Sequence, residues 1–381
     1  MSKPRSIFEE VDKTPAEARA QPQGGMIDKG AGRGARRGIR AWLGVLFALV
    51  FVMIIIGGLT RLTDSGLSIT EWNLVLGTLP PMDAATWASE FAKYQDSPEY
   101  RLQNAGMSLE DFKSIYWWEW GHRLLGRVIG AVWIIGFLGF LATRKIPTGW
   151  VRPLFILGCL IGIQGIVGWW MVHSGLQGER VDVASYRLAT HLGLAFGILG
   201  LILWSMLRLS RSEAELLAAR RLREAKLFSM STGLMHFAML QILLGALVAG
   251  IDAGRSFVDW PLMGGQVFPP DAFAISPVWK NLFENAGLVQ FMHRLAGYLL
   301  VIFGVVVFLR SRKSGNAVTR QAFVLAFTML VVQMGLGIFT VLRAAPLEIA
   351  ITHQIGAILT FTLIHYARFQ AGYPATQSVR G

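Results

Sequence analysis

The segment WWEWGHRLLGR, residues 117–127, opens a long apolar stretch and sets a histidine among charged side chains. Glu119 lies three residues before His122, and Arg123 and Arg127 follow the histidine. Residues three or four apart lie on the same face of a helix, so the carboxylate and the imidazole are neighbours. An imidazole can ligate an iron cofactor, and an adjacent carboxylate can take a proton or stabilise charge. The segment therefore predicts acid/base chemistry beside a bound cofactor.

A second copy of this segment occurs as LVQFMHRLAGY, residues 288–298. His293 and Arg294 repeat the histidine and the first arginine, but Gln290 stands where the first copy has Glu119. A glutamine amide is a polar helix residue that cannot accept a proton as a carboxylate does. This difference predicts that the first half of the chain does acid/base chemistry and the second half holds a cofactor that moves electrons.

Each half also contains a further histidine near the start of its last apolar stretch, His191 in ATHLGLAF and His353 in ITHQIGAIL. Two further pairs of segments match: GGLTRLTDSGLS from Gly57 with GALVAGIDAGRS from Gly245, and QGIVGWWMV from Gln164 with QMGLGIFTV from Gln333. Four matched segments in the same order indicate a duplicated four-helix unit. Two imidazoles on facing bundle helices are a known way to hold haem. Non-haem iron or copper would need a tighter ligand cluster than each half offers. A single membrane histidine can equally serve as a hydrogen-bond donor between helices, and that alternative stays open for each one alone.

The remaining polar residues of these segments have two interpretations. Arg123 and Arg294 either neutralise haem propionates or, more simply, snorkel to the interface or pair along the helix. Glu119 likewise could form a salt bridge to Arg123 or complement the helix dipole. Three histidines lack a counterpart in the repeat and are interpreted as structural, with His173 the least certain because of its place near one end of the first half: His173, His236 and His365.

These segments lie in a chain that is far more apolar than a soluble domain. It has 53% hydrophobic and 16% charged residues and a mean hydropathy of +0.46, whereas soluble domains have about 25% charged residues. Apolar runs long enough to cross a bilayer, about 20 residues each, occur eight times. The predicted spans are residues 41–61, 118–141, 153–172, 187–207, 229–250, 288–309, 321–341 and 347–367. The composition thus predicts an all-α polytopic membrane protein of two pseudo-symmetric four-helix bundles.

The net charge of +12 reflects topology and not a nucleic-acid partner. Residues 1–40 hold nine Lys and Arg and the link 208–227 holds six, whereas the loop 62–116 has eight Asp and Glu against three Lys and Arg. Basic segments stay on the cytoplasmic side of a membrane. Both termini are therefore expected inside, and the histidines near the outer, periplasmic face of a bacterial inner membrane. The lone Cys159 excludes an intramolecular disulfide and covalent c-type haem attachment.

The expected organisation has five parts. A disordered basic tail (1–40) precedes an N-terminal bundle (41–208), and a cytoplasmic linker (209–228) leads to a C-terminal bundle (229–368) and a short tail (369–381). The basic start is not a cleavable signal, because its charged stretch is long and the next apolar run is long enough to span.

The sequence resembles the haem A synthase family of cytochrome oxidase assembly enzymes. The motifs that carry the resemblance are GGLTRLTDSGLSITEW, WWEWGHRLLGR, THLGLAF, FMHRLAGY and ITHQIGAI, and it extends over residues 41–368. The long first loop without cysteines is similar to the proteobacterial and mitochondrial branch. Other members carry cysteine pairs in their outer loops, so a thiol role proposed there cannot apply to this chain.

The resemblance implies oxidation of the C8 methyl of haem O to the formyl group of haem A. It implies that His293 and His353 ligate a resident haem b, with Arg294 nearby, and that His122 and His191 face haem O, with Arg123 and Arg127 nearby. Glu119 matches the acidic residue of the family. Haem O synthase as the source of substrate, cytochrome oxidase assembly factors and an unidentified electron acceptor are the implied partners.

Two other functions are compatible with paired histidines. A membrane cytochrome with two haem b groups, linked to quinone, would use both pairs but leave Glu119 without a role. A non-catalytic haem carrier would need a releasable haem but no resident one, so the duplicated site counts against it. The type of haem bound at each site distinguishes the three.

Overall fold

In a computed structural model of the chain, residues 33–73, 76–178 and 180–376 are described. Within these residues, eight helices are long and apolar enough to cross a membrane. They are α1 (Arg33–Leu62), α4 (Leu109–Ala142), α5 (Val151–Gly175), α6 (Ser185–Leu209), α8 (Ala225–Gly250), α10 (Ala286–Ser311), α11 (Ala317–Leu342) and α12 (Leu347–Gly372). The prediction of an all-α polytopic membrane protein is confirmed.

Several helices extend beyond their apolar runs. The first begins at Arg33, not at residue 41, because arginine is a good helix former and Ile39 is fully buried against the bundle. The fourth helix begins at Leu109, where Ser108 and Asp111 form a capping box. The last one continues to Gly372, past the expected boundary at 368. Hydropathy locates only the apolar part of a helix, and polar ends are fixed by caps and packing. The disorder predicted for residues 1–32 lies outside the described residues.

The two halves pack around a shared centre. Helices α1, α6, α8 and α12 contact one another across the boundary between the halves, whereas α4, α5, α10 and α11 pack on the outside of this group. One hydrophobic cluster contains buried residues of both halves, such as Leu43, Phe196 and Phe361. The expected linker 209–228 contains α7 (Glu213–Arg221), which starts with its own capping box.

The long loop after α1 carries a small aromatic core of its own. It contains α2 (Ala84–Gln95) and α3 (Pro98–Leu102). Tyr94 and Phe112 are fully buried there, with their rings stacked 5.2 Å apart. The corresponding loop of the second half holds α9 (Asn281–Glu284). The first loop is thus a folded cap on the end of the bundle that carries the histidines.

The repeat is visible in the backbone where the two loops begin. Asp64 follows α1 and Asp252 follows α8, and both adopt the left-handed conformation, with φ of 48° and 49°. Aspartate is among the few residues that tolerate this conformation. The same unusual turn at matching positions supports the duplication inferred from the sequence.

Candidate functional site: two histidine pairs at one end of the bundle

The histidines of the second half face each other. His293 on α10 and His353 on α12 have ring centroids 6.5 Å apart and planes at 89°. A metal–imidazole bond is about 2 Å long at zinc, and with about 1.1 Å from nitrogen to ring centre, two imidazoles on one metal have centroids about 6.2 Å apart. The observed spacing would therefore allow both imidazoles to bind one iron atom.

The matching histidines of the first half lie on helices with shared neighbours. His122 is on α4 and His191 on α6, and both helices pack against α1 and α5. Within the described residues, no cluster of three or more His, Cys, Asp or Glu side chains could hold a metal ion. Each half thus offers two imidazoles, a donor set that fits an iron whose other ligands come from a porphyrin.

Each histidine packs against a glycine on the preceding membrane helix. A Cβ added to any of three glycines would lie 2.9 to 3.0 Å from an imidazole carbon. The pairs are Gly168 with His191, Gly245 with His293, and Gly337 with His353. For His122 the matching glycine is Gly57, where an added Cβ would lie 3.4 Å from Nε2. Each imidazole therefore packs directly against the backbone of the preceding membrane helix, in what is called the imidazole wall below.

Three glutamines, to which the sequence interpretation gave no role, hold three of these imidazoles. The amide nitrogen of Gln164 lies 3.2 Å from Nδ1 of His191, and that of Gln241 lies 3.1 Å from Nδ1 of His293. Gln333 is likewise 3.1 Å from Nδ1 of its histidine, His353. Each amide also donates to the backbone carbonyl of the same histidine, at 2.8 to 3.0 Å. The missed signal was the repeated spacing Gln-x-x-x-Gly in QGIVG, QILLG and QMGLG.

The side-chain oxygens of these glutamines test whether the site suits an iron cofactor. In each of Gln164, Gln241 and Gln333, Oε1 is buried and has no hydrogen-bond partner. A histidine that ligates a metal through Nε2 carries its proton on Nδ1 and normally donates it to a nearby oxygen. Each of these three rings has a buried, unpaired acceptor in the amide beside it, which fits histidines that would bind a metal.

Glu119 is fully enclosed and fully hydrogen-bonded. It is 2% exposed, and its carboxylate accepts from Ser68 Oγ at 2.8 Å and from the backbone N–H of Ile69 at 2.7 Å. The guanidinium of Arg123 donates to its other oxygen, with Nε at 3.0 Å. The salt bridge foreseen as the simpler alternative is therefore present. In the second half Gln290 donates to the carbonyl of Phe257, at 3.0 Å.

The arginines after the histidines bind the loops. Arg123 donates to the carbonyls of Glu71 and Ile69, at 2.8 and 2.7 Å. In the second half, Arg294 donates to three loop carbonyls, those of Phe257, Asp259 and Leu262, at 2.8 to 3.0 Å. Arg127 donates to Asn73, at 2.8 Å. Arg123 and Arg127 also line a cavity of about 210 Å³ between α4 and the loop. The arginines therefore fix the loops over both histidine pairs.

A charge cluster joins the two halves at the same end. Arg61 pairs with Asp64 at 2.8 Å and with its repeat counterpart Asp252 at 2.7 Å. Asp182, in the loop between α5 and α6, lies 3.4 Å from the same guanidinium, and burial raises the pKa of its carboxyl above the usual value. Nearby in the first loop, burial raises the pKa of Glu99 to about 8. Sequence interpretation assigned no role to either acid.

The three unmatched histidines bond locally. His173 stacks on Trp169, with centroids 5.5 Å apart, and bonds to Gln177 at 2.9 Å. The Nδ1 atoms of His236 and His365 lie 2.8 and 3.1 Å from carbonyls one turn earlier in their own helices. Each of these contacts lies within a single helix or its end, as expected for structural residues.

Comparison with known proteins gives full-length matches. The model of the cytochrome oxidase assembly protein family matches residues 40–365. The chain is 62% identical to a protein of Ruegeria pomeroyi named Heme A synthase, over the whole of both chains. It is 61% identical to the Heme A synthase of Paracoccus denitrificans, over 99% of this chain and 98% of that one. The Heme A synthase of Cereibacter sphaeroides is 57% identical over the same shares.

Proposed function

The chain belongs to the cytochrome oxidase assembly protein family, and from this premise we propose that it is a haem A synthase. It is an oxidoreductase that converts the C8 methyl of haem O into the formyl group of haem A. This is a four-electron oxidation that adds one oxygen atom. The observation that carries the proposal is the pair of histidines in each half, combined with full-length identity of about 60% to proteins of that name.

We propose that the two halves take different haems. His293 and His353 hold a resident haem b, with Arg294 beside it, and the 6.5 Å spacing of their rings supports this assignment. His122 and His191 bind haem O and later haem A. A haem held by these two histidines would supply electron transfer between the substrate site and an acceptor outside the chain.

Glu119 acts beside the substrate through a carboxylate that is held in one place. Its two oxygens accept hydrogen bonds from Ser68, Ile69 and Arg123. A carboxylate fixed in a site of low dielectric is suited to stabilise positive charge that develops nearby during oxidation. Proton uptake is the other role inferred for this residue from the sequence.

Arg123, Arg127 and Arg294 hold the loops that close over the haems, and their cationic groups contribute positive charge where propionates would lie. The cavity lined by Arg123 and Arg127 supports this placement in the first half.

The membrane sidedness follows from charge. The segments that link the helices away from the histidine end are rich in Lys and Arg, and the loops over the histidines are acidic. We therefore propose that the protein lies in the bacterial inner membrane with both termini inside and the haems near the periplasmic face. Haem O would come from haem O synthase within the same bilayer, and haem A would pass to cytochrome oxidase assembly factors.

The test is extraction and chromatography of the haems from purified protein that is co-expressed with a source of haem O. The wild type is expected to contain haem b together with haem O and haem A. Glu119→Gln is expected to retain haem b and haem O and to lack haem A. Gln290→Ala, which removes the matching side chain of the second half, serves as the control and is expected to keep producing haem A.

Haem b alone in every variant would refute the synthase and support a cytochrome with two haem b groups. Normal haem A in Glu119→Gln would remove Glu119 from the chemistry while leaving the synthase intact.

A further inference from the structure

The glutamine that accompanies three of the histidines is replaced by methionine at the fourth. The alignment that matches Asp64 with Asp252 also matches Gly57 with Gly245 and Met53 with Gln241. In the described parts of the chain, residues 33–73, 76–178 and 180–376, no side chain hydrogen-bonds to the ring of His122. The imidazole of His122 therefore lacks the contact that the other three share.

Met53 and Gln241 occupy the same place in the two halves. A Cβ added to Gly126, one turn after His122, would lie 3.6 Å from the terminal methyl of Met53. A Cβ added to the matching Gly297 would lie 3.2 Å from the amide nitrogen of Gln241. The difference is thus chemical and not positional, because a thioether is only a weak acceptor and cannot donate.

The difference does not come from a loosely held helix. Gln354 of α12 donates to the carbonyl of Ile54, the residue after Met53, and Gly58 leaves space for that same side chain. Helix α1 is therefore fixed across the boundary between the halves at this level. Met53 therefore changes only the contacts of the His122 ring and not the position of the helix.

We propose that His122 is the exchangeable ligand of the substrate haem, and that Gln164, Gln241 and Gln333 are positioning residues that fix the other three imidazoles. The proposal rests on the proposed function and adds to it how one duplicated fold keeps one haem and releases the other. Partners that orient a metal-ligating histidine contribute about 10- to 100-fold in metal affinity. A resident haem needs that contribution on both sides, whereas a substrate must be able to leave.

Gln164 fixes the ring of His191, the other histidine that would hold the substrate haem. His191 would therefore keep haem O in place, and His122 could bind and release it. This division of roles would allow haem A to leave after the oxidation.

The test exchanges the two side chains. In Met53→Gln, loss of haem O and haem A from the purified protein to added apomyoglobin is expected to slow about 10-fold or more. In Gln241→Met, loss of haem b is expected to accelerate by a similar factor. Met53→Leu, which changes shape but adds no hydrogen bond, is the matched control and is expected to release haem as the wild type does.

A second measurement separates positioning from packing. Gln241→Glu keeps the shape and supplies a carboxylate to Nδ1, so it is expected to retain haem b and to shift its midpoint potential to more negative values, because a stronger acceptor makes the imidazole a better donor. Unchanged release from Met53→Gln together with an unchanged potential in Gln241→Glu would overturn the inference. Release rates are read for whichever haem occupies the first half, so this failure is distinct from failure of the synthase assignment.

Discussion

Glu119 can be tested as a structural anchor separately from its chemistry. Its carboxylate accepts the backbone N–H of Ile69, 50 residues away in sequence, at 2.7 Å, and the site is 2% exposed. Glu119→Ala leaves this N–H without its acceptor and the guanidinium of Arg123 without its carboxylate partner, although Arg123 keeps its bonds to two loop carbonyls. Removing one partner of a buried ion pair costs about 3–5 kcal/mol.

The amide of Ile69 is itself the reporter. If the free energy of local opening falls by about 3 kcal/mol, the rate of hydrogen exchange at this amide rises by about 100-fold, because each factor of ten corresponds to about 1.36 kcal/mol. In Glu119→Gln the side-chain carbonyl can still accept from Ile69. Charged hydrogen bonds exceed neutral ones by about 1 kcal/mol, so its exchange is expected to rise by about 5-fold.

The control is Gln290→Ala, which alters the matching position of the second half and is expected to leave exchange at Ile69 unchanged. The reasoning is refuted if Glu119→Ala and Glu119→Gln accelerate exchange equally, or if neither does. Equal acceleration in both variants would mean that the charge, and not the acceptor atom, holds the loop. No acceleration in either variant would mean that neither holds it.

Two further predictions address the imidazole wall and the first loop. Gly245→Ala places a methyl 3.0 Å from the ring of His293 and is expected to lower the haem b content per chain. Gly57→Ala places its methyl 3.4 Å from His122 and is expected to leave the haem b content unchanged. Pyridine haemochrome spectra of the purified variants measure the haem b content. Burial raises the pKa of Glu99 to about 8, so the folded loop keeps a proton that the unfolded chain loses near pH 4.5. Loop stability should therefore fall as pH rises from about 4.5 to 8, and Glu99→Gln should abolish this dependence in thermal unfolding followed by tryptophan fluorescence; an equal slope in both proteins would contradict it.

The ends of the membrane helices show where sequence interpretation is least informative. The residues before 41 are basic, and the sequence suggested a tail, yet residues from Arg33 onward are helical because Ile39 and its neighbours pack against the bundle. Likewise the linker contains α7, whose capping box of Ser212 and Glu215 was present in the sequence but was not used. The existence of the eight membrane helices was predicted correctly, but their ends and the short helices outside the membrane were not.

The sequence by itself determined the eight spans, because hydropathy is a sum over neighbouring residues. It also predicted the duplication and the two histidine pairs, because repeated motifs can be recognised from neighbouring residues alone. Only the tertiary structure decided which groups those residues meet. Glu119 pairs with Ser68 and Ile69, and Gln241 meets His293 from 52 residues away. Such contacts depend on how helices approach one another, which glycines such as Gly245 permit. No local pattern specifies that approach, so the difference between Met53 and Gln241 acquires meaning only when both are seen beside their histidines.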